Sequence, residues 1–146
     1  MFKRILIATD GGTLSKKAVA SGIALAAGLG ADVVAYTAVA RYPQAYYEGA
    51  VVLTPKEIDR IDKASHDQAQ VLLDELQEQA RSHDLQVTTV IGHDPIAEGI
   101  IAAAKKHKCD VIVMASHGRK GFQRLLLGSE TLDVLTHSHI PVLVLR

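Results

Sequence analysis

Short apolar runs and longer amphipathic segments alternate along the chain, and the alternation predicts its elements. Ile5-Leu6-Ile7-Ala8 is an apolar run that stops at Thr9-Asp10-Gly11-Gly12, the pattern of a buried strand entering a turn. Ser15 is placed to cap the helix that follows, whose apolar positions Ala18, Val19, Gly22, Ile23, Leu25 and Ala26 carry it to Gly28–Gly30. Asp32–Val39 reads as a second strand. Arg41–Thr54 has no clear period and holds three of the four tyrosines, so it reads as an excursion over the surface. Pro55 opens a long polar helix to about His83, with Ile58, Ile61, Val71, Leu72, Leu73 and Leu76 along its buried side.

Leu85–Ile91 is the third predicted strand, more polar than the first. Asp94-Pro95 begins a helix that ends at Lys105-Lys106-His107-Lys108, with the acid at the positive end of the helix dipole and the lysines at the negative end. Val111–Ala115 is a fourth strand, Ser129–His137 a last helix and Pro141–Arg146 the final strand. Strand and helix repeat throughout. The fold class is therefore α/β: a single-domain, Rossmann-like, open five-stranded parallel sheet with helices on both faces and right-handed crossovers. No composition break marks a linker, and one domain is expected over residues 1–146.

Composition narrows the function classes. The chain has 146 residues, 48% hydrophobic and 22% charged, as expected of a folded globular chain. Its 16 basic and 16 acidic residues cancel, so there is no electrostatic footprint for a nucleic acid partner. Cys109 is the single cysteine, which excludes an internal disulfide. The run Ile5–Ala8 is too short for a signal segment, and no apolar stretch approaches the roughly 20 residues that cross a bilayer. A cytoplasmic protein with no membrane partner is expected.

In open parallel sheets, ligands sit beyond the carboxyl ends of the strands, where the strand order reverses. The apolar strength of the first and fourth strands makes them candidates for the sheet centre. As neighbours, they would open the Thr9–Gly12 turn and the Ser116–Gly128 loop into one crevice. Glycines let backbone N–H groups approach a phosphate, and Gly128-Ser129 stands where a helix begins and its dipole favours an anion. Ser129 and Thr131 can add hydroxyl donors, while Arg119, Lys120 and Arg124 add positive charge. A glycine-containing turn with an ordinary helix cap and a solvated basic surface is the competing reading of the same residues. Asp10 could equally fix its own turn by an Asx bond.

The whole chain resembles a single-domain universal stress protein. The resemblance rests on Ile5-Leu6-Ile7-Ala8-Thr9-Asp10-Gly11, the strand Asp32–Val39, Gly92-His93-Asp94-Pro95, Asp110–Gly118, Leu127-Gly128-Ser129 and Pro141–Leu145. ATP-binding members of that family carry Gly, two residues, Gly, nine residues, then Gly-Ser. This chain keeps Gly118, the nine intervening residues, Gly128 and Ser129, and has Ala115 at the first position. The smallest possible replacement there implies weakened rather than abolished binding.

The resemblance implies an adenine nucleotide site with ATP as the ligand. Ala8, Thr9 and Asp10 would line the nucleoside side, and the backbone at Ala38-Val39 would read the adenine edge. Ala115 and Gly118 would pass under the ribose and phosphates, and Gly128, Ser129, Glu130 and Thr131 would hold the phosphate chain; Met114 belongs to the same site, and His117 either contacts a phosphate or shapes the turn. Any Mg²⁺ would be held mainly by phosphate oxygens. The resemblance also implies a homodimer through the final strand, Val142–Leu145, whose apolar edge invites pairing. No protein metal site is expected, since His137-Ser138-His139 lacks further ligands. No catalytic residues are expected either, because no Walker loop and no water-activating base is evident. Two functional classes remain: an ATP-binding regulatory module, with at most slow hydrolysis, and a nucleotide-independent dimeric interaction protein. The family's own protein partner is not named by these residues.

Overall fold

Each predicted apolar run becomes a strand in the computed structural model, which describes residues 1–39, 53–118 and 127–146. In chain order the elements are β1 (Arg4–Ala8), α1 (Thr13–Leu29), β2 (Asp32–Val39), α2 (Pro55–Arg81), β3 (Val87–His93), α3 (Ile96–Lys106), β4 (Val111–Ala115), α4 (Ser129–His137) and β5 (Val142–Leu145). All strand pairs are parallel, in the order β3-β2-β1-β4-β5. β1 is central and lies beside β4, with Ile5 opposite Val111 and Ile7 opposite Val113.

The sheet is buried on both sides because each face carries its own helices. On one face Ile5, Ile7, Val33, Ala35, Val111 and Val113 pack with Val19 and Ile23 of α1 and Leu73 and Leu76 of α2. On the other, Leu6, Val34, Tyr36, Ile112 and Met114 pack with Ile100 and Ala104 of α3 and Val134 of α4. Ile5, Leu6 and Ile7 are all 0% exposed, which explains the unbroken apolar run. Burying each of these side chains contributes about 1.5–3 kcal/mol. Gly22 brings α1 close to the sheet: a Cβ there would lie 2.8 Å from Ile7 Cδ1.

Several local expectations change. Helix α1 starts two residues before Ser15, with Gly12 as its cap. Ser15 is instead buried in the first turn, where its hydroxyl donates to Thr9 Oγ1 and accepts from the Asp10 N–H. Strand β3 is shifted two residues along, because Leu85 and Gln86 complete the turn out of α2. Val71 is 56% exposed and does not share the buried side of α2, which Ala69, Leu73, Leu76 and Ala80 form at helical spacing. Pro55 does open α2, and Thr54 caps it in a reciprocal box with Glu57. Most of the expected excursion, residues 41–52, lies outside the described residues.

At the amino end of the sheet, Asp110 accepts hydrogen bonds from the backbone N–H groups of Lys3 and Arg4 at 2.6 and 2.9 Å. These bonds, Lys3's first, hold its carboxyl below the ordinary range. The neighbouring Cys109 is buried, and burial pushes its thiol up from 9.0 to about 11 against the smaller opposing pull of Arg4. A thiol that ionises more easily in the unfolded chain contributes stability present below pH 9.0 and lost as pH rises towards about 11. Cys109→Ala is therefore expected to flatten the loss of stability across that window in chemical denaturation. Alkylation of Cys109 in the native chain is expected to be slow, tracking unfolding, and rapid labelling near neutral pH would contradict this.

Candidate functional site

Neighbouring strands β1 and β4 send the chain to opposite faces of the sheet. After β1 it enters α1 on one face, and α4 packs on the other. A crevice opens between the two carboxyl ends, as expected where strand order reverses. The turn on its β1 side is held by its own polar groups. Asp10 Oδ1 accepts the Gly12 N–H at 2.8 Å, and Thr9 Oγ1 accepts the Gly11 N–H at 3.2 Å. Gly11 has φ of 76°, the left-handed region that favours glycine. The Asx bond anticipated for Asp10 is thus present.

The β4 side is built from Ser116–Gly118 and the start of α4. Gly128 donates its N–H to the Ser116 carbonyl at 2.8 Å, which seats the helix start directly on the outgoing loop. A Cβ at Gly128 would lie 3.1 Å from His117 Cα, so this approach requires the absence of a side chain. Gly118 faces Asp10 across the crevice: a Cβ there would lie 2.8 Å from Asp10 Oδ2. Gly128 therefore serves a close approach between backbone segments, and Gly118 leaves room for the Asp10 side chain. Ser116 Oγ contacts His117 Nδ1 at 3.1 Å, tying the His117 ring to its own turn.

Helices α1, α3 and α4 all begin at this end of the sheet, and none receives a side-chain cap. Their first N–H groups lack intrahelical acceptors, unlike those of α2 with its capping box. At α4 these are the N–H groups of Ser129, Glu130 and Thr131. Such a terminus attracts anions through its donors and its dipole. The Thr131 hydroxyl, anticipated as a ligand donor, is buried and donates to the Ala115 carbonyl at 2.9 Å. Its proton is committed to fixing α4 on the end of β4.

Two adjoining spaces occupy the crevice. A narrow one of about 130 Å³ lies on the α3–α4 face, walled by Ala8, Tyr36, Ala38, Ile96, Ile100 and Met114. Thr9, Asp10, Ala115, His117, Gly118, Glu130 and Thr131 complete its rim. A wider one of about 640 Å³ lies over the α1 terminus, bounded by Gly12, Thr13, Lys17, Ser116 and Arg146. Asp10, Ser15, His117 and Gly118 border both. The apolar slot suits a flat heteroaromatic group, and the donor-rich rim suits an anion.

Of the residues anticipated from the sequence, Ala8, Thr9, Asp10, Ala38, Met114, Ala115, His117, Gly118, Glu130 and Thr131 border the narrow slot. Val39 lies on the other side of β2, in a separate depression with Thr37 and residues of α2. Gly128 and Ser129 form the α4 start beside Ser116 and His117. Arg119, Lys120 and Arg124 lie outside the described residues. The sequence reading missed Tyr36, Ile96 and Ile100 as walls, and Lys17 and Arg146 at the wider space. Period-two alternation back from Ala38 would have placed Tyr36 on the same face.

Tyr36 is 2% exposed, and its hydroxyl has no hydrogen-bond partner among the described residues. The ring is admitted by Gly92 and Gly99, where a Cβ would fall on the phenol oxygen. Burial pushes the phenol above its ordinary value, and the charge of Asp94 adds to this.

The fold and crevice define a Rossmann-like α/β protein with an open crevice at the topological switch point. Its family is given by comparison: the model of the universal stress protein family matches residues 1–146, and the chain belongs to that family. It is 30% identical to universal stress protein MJ0531 of Methanocaldococcus jannaschii over 146 residues, covering all of this chain and 83% of that protein. The solved structure of MJ0577 superposes with a TM-score of 0.84 at 23% identity, covering 99% of this chain and 96% of that one. A universal stress protein in complex with cAMP gives a TM-score of 0.70 at 20% identity, with 99% and 97% covered. The universal stress protein of Archaeoglobus fulgidus in complex with dAMP gives 0.62 at 14%, with 99% and 98% covered.

An unpartnered buried hydroxyl costs stability that a hydrogen atom in its place does not. Tyr36→Phe is expected to leave the ring packed and raise stability by about 1 kcal/mol. The phenol ionises less readily when folded, so its contribution is present below the unfolded value of 10.0 and lost as pH rises above it. Phenylalanine should remove that alkaline loss. Denaturation measured at neutral and alkaline pH checks both, and a destabilised variant at neutral pH would contradict the assignment.

Proposed function

We propose that this crevice binds an adenine nucleotide, ATP with Mg²⁺, and that the protein is a nucleotide-responsive regulatory module. The observation that carries the reading is the junction of an apolar slot with the uncapped α4 terminus at Gly128-Ser129. Adenine would enter the slot between Ala38 and Met114, with the backbone at Ala38-Val39 along its edge. The ribose would lie by Asp10 and Gly118, and the phosphates by the N–H groups of Ser129, Glu130 and Thr131. The family relatives whose structures hold cAMP and dAMP support adenine as the base.

Mg²⁺ would be held mainly by the phosphate oxygens, and the Asp10 carboxylate, which borders both spaces, would join them. His117 is tied to Ser116 and Asp10 to its own turn, an arrangement that shapes the site without poising a strong base for water. Hydrolysis, where it occurs, is slow. The edge position of β5, with Leu143 39% exposed, supports a homodimer through Val142–Leu145. The protein acts in the cytoplasm as one domain over residues 1–146, through a protein partner that its nucleotide state selects. Among the described residues no helix is long and apolar enough to cross a membrane.

A nucleotide-independent interaction protein is the second reading, favoured by Ala115 in place of the first motif glycine. Register weighs against it. Ala115 pairs with Leu145, which packs on the α1–α2 face, whereas Met114 supplies the β4 wall of the slot. The Ala115 methyl therefore points away from the proposed adenine position. Ala115→Gly is expected to change ATP affinity by less than about tenfold, that is by less than about 1.4 kcal/mol. Titration calorimetry with ATP–Mg²⁺ tests the reading itself, together with chromatography of any nucleotide released on denaturing fresh protein. Binding that Gly128→Val abolishes, in a variant retaining its native circular dichroism, is the expected result. No bound nucleotide and no heat up to millimolar ATP would overturn it in favour of the interaction protein.

A further inference from the structure

Away from the crevice, His66 on α2 and His93 at the end of β3 bring their rings together, with centroids 5.4 Å apart and planes tilted by 54°. Neither side chain has a role in the proposed nucleotide site. His66 Nδ1 lies 2.9 Å from the carbonyl oxygen of Asp62, one turn earlier in α2. A carbonyl can only accept, so this nitrogen carries the proton, and Nε2 of the neutral ring keeps its lone pair. His93 Nδ1 is buried and has no hydrogen-bond partner among the described residues. Leaving a ring nitrogen in that state costs free energy unless something else satisfies it.

We propose that His66 and His93 form a two-imidazole site for a divalent transition-metal ion, Zn²⁺ in particular, clamping α2 to β3. The separation of the two rings matches. With metal–nitrogen bonds of about 2.0–2.1 Å and tetrahedral angles, two imidazole centroids ligating one ion lie about 5.2 Å apart. The bond from His66 Nδ1 to a backbone carbonyl is the outer-shell contact that orients a ligating histidine. Among the described residues no group of three or more His, Cys, Asp or Glu side chains could hold a metal, so water completes the coordination and the ion stays exchangeable. His137 makes the same carbonyl contact, to Asp133, but has no second imidazole in ring contact among the described residues. His93 pairs in register with Val39, so the clamp sits beside the carboxyl end of β2.

The test is calorimetric titration of the full, nucleotide-free chain with Zn²⁺ alone. One ion is expected per chain, with affinity falling at least about tenfold in both His66→Ala and His93→Ala. The double variant His137→Ala/His139→Ala is expected to bind as the parent does. His66 is exposed, so its substitution spares the fold and decides the question even where His93→Ala unfolds the chain. No heat up to millimolar Zn²⁺, or binding unchanged in His66→Ala, would overturn the proposal.

Discussion

The parallel pairing of β1 on both of its edges is the constraint on which everything else rests. It requires β2 and β4 as neighbours, and a strand so enclosed must be apolar on both faces, as Ile5, Leu6 and Ile7 are. Right-handed crossovers then place α1 and α2 on one face and α3 and α4 on the other. The loops leaving β1 and β4 are forced apart, and the gap between them cannot be closed by either helix. The site is thus a consequence of topology before any residue in it is specified.

What the residues add is a division of chemistry across that gap. Small and apolar side chains of β1, β2 and β4 line a slot, with Tyr36 filling the space that Gly92 and Gly99 leave open. The polar rim is mostly backbone: uncapped helix starts, glycines in close approach, and side chains already committed to their own turns. Asp10 holds Gly12, Thr131 holds Ala115, and Gly128 rests on Ser116. A rim ordered before a ligand arrives loses little freedom on binding, which is how preorganisation favours affinity.

Most of this was legible in the chain because β1 and β4 announce themselves by unbroken apolar runs, and Pro55 and Gly128 mark helix starts by their own chemistry. The five strands, their parallel direction and the neighbouring places of β1 and β4 at the sheet centre all follow from such signals. Ser15 misled because a serine near a helix start resembles a cap, whereas Gly12 caps with its backbone and Ser15 joins a hydroxyl network with Thr9. Strand β3 was misplaced by two residues because an edge strand with exposed Thr88 and Thr89 has little apolar signal. The walls Ile96 and Ile100 and the cations Lys17 and Arg146 were not legible. Ordinary helix and terminal residues acquire a site only through tertiary placement.

Amide chemical shifts of labelled protein titrated with ATP–Mg²⁺ test most directly whether the β1–β4 crevice holds the nucleotide. Saturable shifts are expected at residues 9–12, 38–39, 114–118 and 128–131, with β5 and the amino end of the sheet little changed. Shifts centred elsewhere, or none at saturating nucleotide, would contradict it.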